Sequence, residues 1–168
     1  NLFIASWQLI THKSEINNIM PFTFMPDLVS EPMILTKNKM KINCLSNVCT
    51  HRGHIVCDKI KKTKFLTCRY HGRTFDLSGK FKKAVGFNGA DNFPTKSDNL
   101  TNIPIKEWKD FIFISLDNKI DINPVLEDIE SRVSSFPFSD LSFSRSLSNT
   151  FEINAHWAIY CENYLEGF

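Results

Sequence analysis

Two short stretches of the chain pair a thiol with an imidazole: Cys49-Thr50-His51-Arg52-Gly53 and Cys68-Arg69-Tyr70-His71-Gly72. Sixteen residues separate His51 from Cys68, and a glycine follows each pair. Neither pair amounts to a metal site alone. Together they offer two thiolates and two imidazoles on similar loops, a donor set for softer transition metals. One zinc ion would take all four tetrahedrally. A [2Fe-2S] cluster with histidine on one iron would take both Cys on one metal and both His on the other, so that each loop hands one residue to each iron. Spacing alone allows either.

Loops that curl round a compact metal group need positive φ or a close backbone approach, and Gly53 and Gly72 supply it without a Cβ clash. The span between the loops suits two strands, Ile55–Cys57 and Lys64–Thr67, with Lys61, Lys62 and Lys64 crowding at a solvated hairpin tip. Upstream, Met33–Thr36 and Met40–Leu45 flank a turn at Lys37-Asn38-Lys39 and deliver the chain to Asn47-Val48-Cys49. Downstream, Phe75–Phe81 reads as a hairpin turning at Ser78-Gly79. Residues 86–102, with Gly86, Gly89 and Pro94, read as a surface loop. Ile103–Ile105 and Phe111–Ile114 read as closing strands, the second buried on both faces, with Trp108 as a core aromatic between them. A second unit opens near Pro124: a short amphipathic helix, Pro124–Val133, with Asn123 as N-cap. Ser142–Ile153 alternates as a half-buried strand would, and Asn154 can cap a helix over Ala155–Leu165. His12 reads as a surface histidine.

With 168 residues, 42% of them hydrophobic, and 15 Phe, the chain has the composition of a globular protein with an aromatic core. Its net charge of +2 is scattered, which argues against nucleic acid as a partner. There is no apolar run of membrane-spanning length and no basic signal-peptide front, so the expectation is a cytoplasmic protein without a membrane partner. Cys44, Cys57 and Cys161 are dispersed and read as reduced thiols. Both ends read as cut, since there is no initiator Met and the helical pattern stops uncapped at Gly167-Phe168.

The pattern Cys-x-His-Arg-Gly followed by Cys-x-x-His-Gly resembles the Rieske domain of ring-hydroxylating and related non-haem iron oxygenases, α-subunit type. The resemblance implies a mainly β Rieske [2Fe-2S] domain of antiparallel sheets over residues 23–120, the cluster held between two loops by Cys49, His51, Cys68 and His71. A lead-in segment, 1–22, would precede it, and the α+β start of a catalytic domain would follow over 121–168. The cytochrome bc-type branch differs: it adds a cysteine to each loop and joins them by a disulfide, where His54 and Tyr70 stand here. Phe75 occupies the place of that branch's tyrosine donor to a ligand sulfur, implying a potential toward the low end of the Rieske range.

The tail Trp157-Ala-Ile-Tyr-Cys-Glu-Asn-Tyr-Leu-Glu-Gly-Phe168 resembles the opening helix of the oxygenase catalytic domain, with His156 in place of the usual Asn and Ala158 in place of the usual Lys. Its final residues are similar to the branch acting on choline and betaines. This implies that Glu166 is the bridging acid of a head-to-tail homotrimer, hydrogen-bonded to the second Rieske histidine, His71, and lying between one subunit's cluster and its neighbour's mononuclear Fe(II). The two His and one carboxylate for that iron would lie beyond Phe168, His156 being no substitute, so this chain alone is expected not to turn over. The implied function is relay of electrons from a reductase or ferredoxin for dioxygen-dependent hydroxylation or demethylation of a small organic substrate. A stand-alone Rieske ferredoxin explains residues 25–117 equally well but leaves Pro124–Phe168 unaccounted for. A structural zinc module remains the third reading. Arg73 stands where most such oxygenases carry Trp, implying a fixed positive charge and more water beside the second loop, or else a side chain snorkelling over the surface.

Overall fold

The computed structural model describes residues 2–166 apart from Asn88 and Ala90. The run Met33-Ile34-Leu35-Thr36 sits in the middle of a strand, β3 (Glu31–Asn38), and all four residues are buried. A strand presents alternate residues to opposite faces, so burial of consecutive residues requires cover on both sides. β3 pairs antiparallel with β2 (Ile19–Phe24) and β4 (Lys41–Ser46), and β4 pairs in turn with β8 (Asn102–Ile103). On one face of this four-stranded sheet, Met33, Leu35, Ile42 and Cys44 pack with Ile112 and Ile114. On the other, Ile34 and Leu45 pack with Leu66, Phe75, Leu77 and the two loop cysteines, Cys49 and Cys68.

Each face has its own small antiparallel sheet. The first core is closed by β1 (Gln8–His12), β10 (Phe111–Ile114) and β9 (Ile105–Trp108), in the order β1-β10-β9. The second is closed by β5 (Phe65–Thr67), β6 (Thr74–Asp76) and β7 (Phe81–Lys83). This is the mainly β, antiparallel architecture that the sequence implied. Thr36 and Asn43 lock the second layer to the central sheet, both donating to the Leu77 carbonyl at 2.5 and 3.1 Å. The hairpin between β6 and β7 turns at Ser78-Gly79 as expected. Gly79 has φ +83°, and a Cβ there would lie 2.9 Å from Leu45 Cδ2, so the turn sits directly on the core.

Several local expectations are corrected. The stretch read as a lead-in, residues 1–22, carries a short helix, α1 (Leu2–Ala5), then β1 and most of β2, each strand hydrogen-bonded into a sheet. The hairpin turn falls on Lys39-Met40, with Lys39 at φ +56°, so both strands begin or end a residue or two away from the expected bounds. Ile55–Cys57 forms no strand; its backbone makes a single bridge, Ile55 to Val48, and Asn47 takes up the rest. β10 is not buried on both faces: Ile112 and Ile114 are fully buried while Phe111 and Phe113 are half-buried. His12, read as a surface histidine, is partly buried: its Nδ1 caps the 3-10 turn Lys13–Glu15, and its buried Nε2 has no hydrogen-bond partner among the described residues.

In the second unit, α2 (Asn123–Arg132) is capped by Ile122, one residue before the expected Asn123, whose side chain instead accepts from Lys106 Nζ at 2.5 Å. Its buried Leu126 and the Glu130 carboxylate, which meets Trp108 Nε1 at 3.3 Å and Lys109 Nζ at 2.6 Å, dock it on the β9 side. Ser142–Ile153 is not a strand: apart from the 3-10 turn Arg145–Leu147 it is irregular and largely exposed, and no strand among the described residues pairs with it. α3 (Trp157–Leu165) is capped by His156, whose Nδ1 accepts from Ala158 N at 3.3 Å, and not by Asn154. Among the described residues no helix is long and apolar enough to cross a membrane.

Candidate metal centre

The two Cys–His loops share one hydrogen-bonded frame. In the first, Cys49 N donates to His54 O at 2.8 Å and Gly53 N donates to Cys49 O at 3.0 Å. In the second, Cys68 N donates to Arg73 O at 2.8 Å and Gly72 N donates to Cys68 O at 3.0 Å. Six-residue loops closed this tightly require a left-handed residue at the fifth position. Gly53 and Gly72 adopt φ +68° and +70°, the conformation expected of them.

The frame sorts the four side chains by type. Cys49 and Cys68 both point inward into the same core, 4% and 2% exposed. His51 and His71 point outward and are exposed, with ring centroids 4.8 Å apart. Tyr70 lies against His71 at 3.9 Å between centroids, and His54 sits 5.7 Å beyond Tyr70. No disulfide braces the loops, because all five cysteines are free thiols.

Burial, with Cys68 adjoining, pushes the Cys49 thiol up, although a backbone hydrogen bond from His51 and the nearby Arg73 charge oppose it. Desolvation, together with the positive neighbours His71, Arg73 and Arg52, holds His51 below the usual imidazole range. The imidazole is therefore kept neutral, the form that ligates metals, while a metal arriving at Cys49 must displace a proton. Cys44, buried without such neighbours, is pushed up to about 12 and is inert.

The donor set fits a two-iron cluster. Two buried thiols form one subset and two exposed imidazoles the other, as a cluster with Cys on its inner iron and His on its outer iron requires.

Residues the motif does not name hold this arrangement in place. Asn47, 3% exposed, uses its side chain as a backbone substitute: Nδ2 donates to Cys57 O at 2.6 Å and Oδ1 accepts from Cys57 N at 2.9 Å. Arg73 is buried at 8% exposure, which overturns both the expected hydration and the snorkelling side chain. Its Nη1 meets Asp98 Oδ1 at 3.0 Å and Thr50 Oγ1 at 2.9 Å, and its guanidinium carbon lies 5.3 Å from the centroid of Phe81 and 5.6 Å from that of Phe93. Within the stretch read as a surface loop, Thr95-Lys-Ser-Asp98 forms a capping box, a pattern that could have been found in the sequence, whereas the ion pair of Asp98 with Arg73 could not.

Glu166 is exposed at the C-terminal end of α3, its backbone N–H bonded to Glu162 O at 3.1 Å. No hydrogen bond joins it to His71 among the described residues. Gly167 and Phe168, which complete the tail motif, lie outside the described residues.

Comparison with known proteins agrees with this geometry. The sequence profile of the Rieske [2Fe-2S] domain matches residues 6–94. The carnitine monooxygenase oxygenase subunit of Escherichia coli (strain K12) is 27% identical over 171 residues, covering 100% of this chain and 46% of the relative. The chloroplastic choline monooxygenase of Beta vulgaris is 28% identical over 177 residues, covering 99% and 38% respectively. The chain thus spans less than half the length of these curated relatives. Among solved structures, the apo form of a quaternary ammonium Rieske monooxygenase, CntA, superposes with a TM-score of 0.65 at 24% identity over 77% of this chain and 39% of that one. Both the paired loops and the match across more than half of its residues place this chain among proteins built around a cluster ligated by cysteine and histidine: it belongs to the Rieske [2Fe-2S] domain family.

Proposed function

We propose that Cys49 and Cys68 hold the inner iron and His51 and His71 the outer iron of a [2Fe-2S] cluster, in the electron-relay part of a Rieske oxygenase α subunit. The observation that carries this reading is the segregation of two buried thiols from two exposed imidazoles on loops of one hydrogen-bonded design. When bound, such a cluster supplies one-electron transfer, from a reductase or ferredoxin donor toward a mononuclear non-haem iron. The chain's own residues then have defined tasks. Burial of the thiols would exclude water from the iron they hold, and the exposed imidazole edges face outward, where a second redox centre could approach. Phe75, fully buried, offers no hydroxyl to a ligand sulfur, in keeping with a potential toward the low end of the Rieske range.

In this proposal the division falls into a Rieske domain over residues 23–120, completed by strands from 1–22, and the start of a catalytic domain over 121–168. Alignment of the Escherichia coli relative along the whole chain favours that over a stand-alone ferredoxin. Glu166 would bridge to His71 of a neighbouring copy in a homotrimer, which is consistent with its exposure at the end of α3. The named relatives favour a quaternary ammonium compound as the small organic substrate. The decisive experiment is an electron paramagnetic resonance spectrum of the dithionite-reduced protein, produced with iron and sulfide available. The expected result is a rhombic signal with average g well below two. A colourless protein with stoichiometric zinc and no such signal would replace the proposal with a structural zinc site.

A further inference from the structure

Arg73 joins three parts of the chain that the sequence separates. It is the last residue of the second ligand loop, and its carbonyl closes that loop by accepting from Cys68 N at 2.8 Å. Its side chain crosses to the first loop and donates to Thr50, the residue between Cys49 and His51, at 2.9 Å. It also reaches the segment after Pro94, where it meets Asp98 at 3.0 Å.

The three partners form a closed set. Thr50 Oγ1 donates to Asp98 O at 2.8 Å, so that the first loop is bonded to the same residue that neutralises Arg73. The second oxygen of Asp98 accepts from Thr95 N at 2.7 Å and Thr95 Oγ1 at 3.0 Å, fixing the carboxylate's orientation. The pair is shielded, with the Arg73 and Asp98 side chains 10% and 15% exposed. Phe81 and Phe93 flank the guanidinium. A charge this far from water is retained at low cost only with its partner in place, and removal of one partner leaves the other uncompensated.

We propose that Arg73 is a positioning residue for the cluster: paired with Asp98 and bonded to Thr50, it is a strut that holds the two ligand loops at a fixed separation and balances the charge beside them. This rests on the cluster assignment made above. Where a bulky apolar side chain would shield the second loop by packing alone, Arg73 shields it and ties it to the first. The charge it brings is cancelled locally by Asp98, so the cluster feels a dipole in place of a net positive charge.

The test compares the cluster-loaded parent with Thr50→Val, Arg73→Lys and Asp98→Asn. Two readouts are taken: cluster lifetime under a chelator, and reduction potential from a titration followed by electron paramagnetic resonance. Thr50→Val removes a hydrogen bond to a charged group without altering charge, so cluster loss should be roughly tenfold faster with little change in potential. Arg73→Lys keeps the charge but loses the planar guanidinium that lies against Phe81 and Phe93 and holds one nitrogen, Nη1, between Thr50 and Asp98, and should shorten the lifetime likewise. Asp98→Asn leaves the guanidinium uncompensated and should raise the potential, an effect that packing alone would not produce. Should the parent show no histidine-ligated signal, the cluster assignment fails and the strut with it. Should the parent show the signal while Thr50→Val and Arg73→Lys keep its lifetime and Asp98→Asn keeps its potential, the strut alone is overturned.

Discussion

Asn47→Ala should be among the most damaging single changes outside the ligands. The Asn47 amide serves both backbone groups of Cys57, at 2.6 and 2.9 Å, in a place where Asn47 and Cys57 are each 3% exposed. Truncation leaves a buried N–H and a buried C=O without partners, and each such orphan costs about 1–3 kcal/mol. A loss of about 2–5 kcal/mol follows, a large share of the roughly 5–15 kcal/mol that stabilises a domain. Asn43→Ala is the internal control. Asn43 also donates to a buried carbonyl, Leu77 O, at 3.1 Å, but that oxygen keeps the Thr36 hydroxyl at 2.5 Å. No group is orphaned, and the cost should stay near 1 kcal/mol. Urea unfolding of the cluster-free chain measures both, with unchanged m indicating that stability alone has moved. In thermal unfolding Asn47→Ala should lower Tm by about 4–20 °C. Equal losses for the two variants, within about 0.5 kcal/mol, would refute the reasoning that satisfaction of Cys57, and not mere amide burial, holds the segment behind the first ligand loop.

Asp76 gives the acid limb of stability. Burial alone would raise its pKa, but hydrogen bonds from Ser78, Lys82 and Lys80 pull it down to about 2. A depressed carboxylate stabilises the fold above its unfolded value near 3.8, and that contribution is lost as pH falls through about 2. Asp76 should therefore contribute a loss of about 1–2 kcal/mol between roughly pH 4 and 2, and Asp76→Asn should flatten the dependence by that amount in urea titrations at several pH values, leaving the share of the other depressed carboxylates, Asp98 and Glu130. Glycine substitutions should separate turn strain from core contact. Gly53→Ala meets no atom within 4 Å and should cost only the left-handed backbone term, about 1 kcal/mol. Gly79→Ala adds a 2.9 Å contact with Leu45 and 3.3 Å with the Leu100 carbonyl and should cost about 2–4 kcal/mol; similar midpoints for the two would show that the β6–β7 turn is not pressed against the core.

Cys49, His51, Cys68 and His71, with the glycine after each pair, were readable as a candidate donor set because loop chemistry is local. Side-chain type, spacing and the need for positive φ all lie within six residues of one another. The same holds for the Ser78-Gly79 turn and the β3–β4 hairpin. The directions of the four side chains were not legible, since only the folded chain turns the thiols inward together and the imidazoles outward together. Periodicity misjudged β10 for a related reason: Phe111–Ile114 is as continuously apolar as Met33–Leu35, yet β3 is covered on both faces and β10 has a half-covered side, a difference set by layer order. Ser142–Ile153 alternates, but alternation makes a strand only where a partner backbone takes up its hydrogen bonds. Arg73 marks the limit most clearly. Its charge and its place after His71-Gly72 are written in the sequence, and they suggested a hydrated cation. Its burial came from Asp98, twenty-five residues away, and from Thr50 on the other loop, because a guanidinium can leave water only where tertiary structure assembles its acceptors.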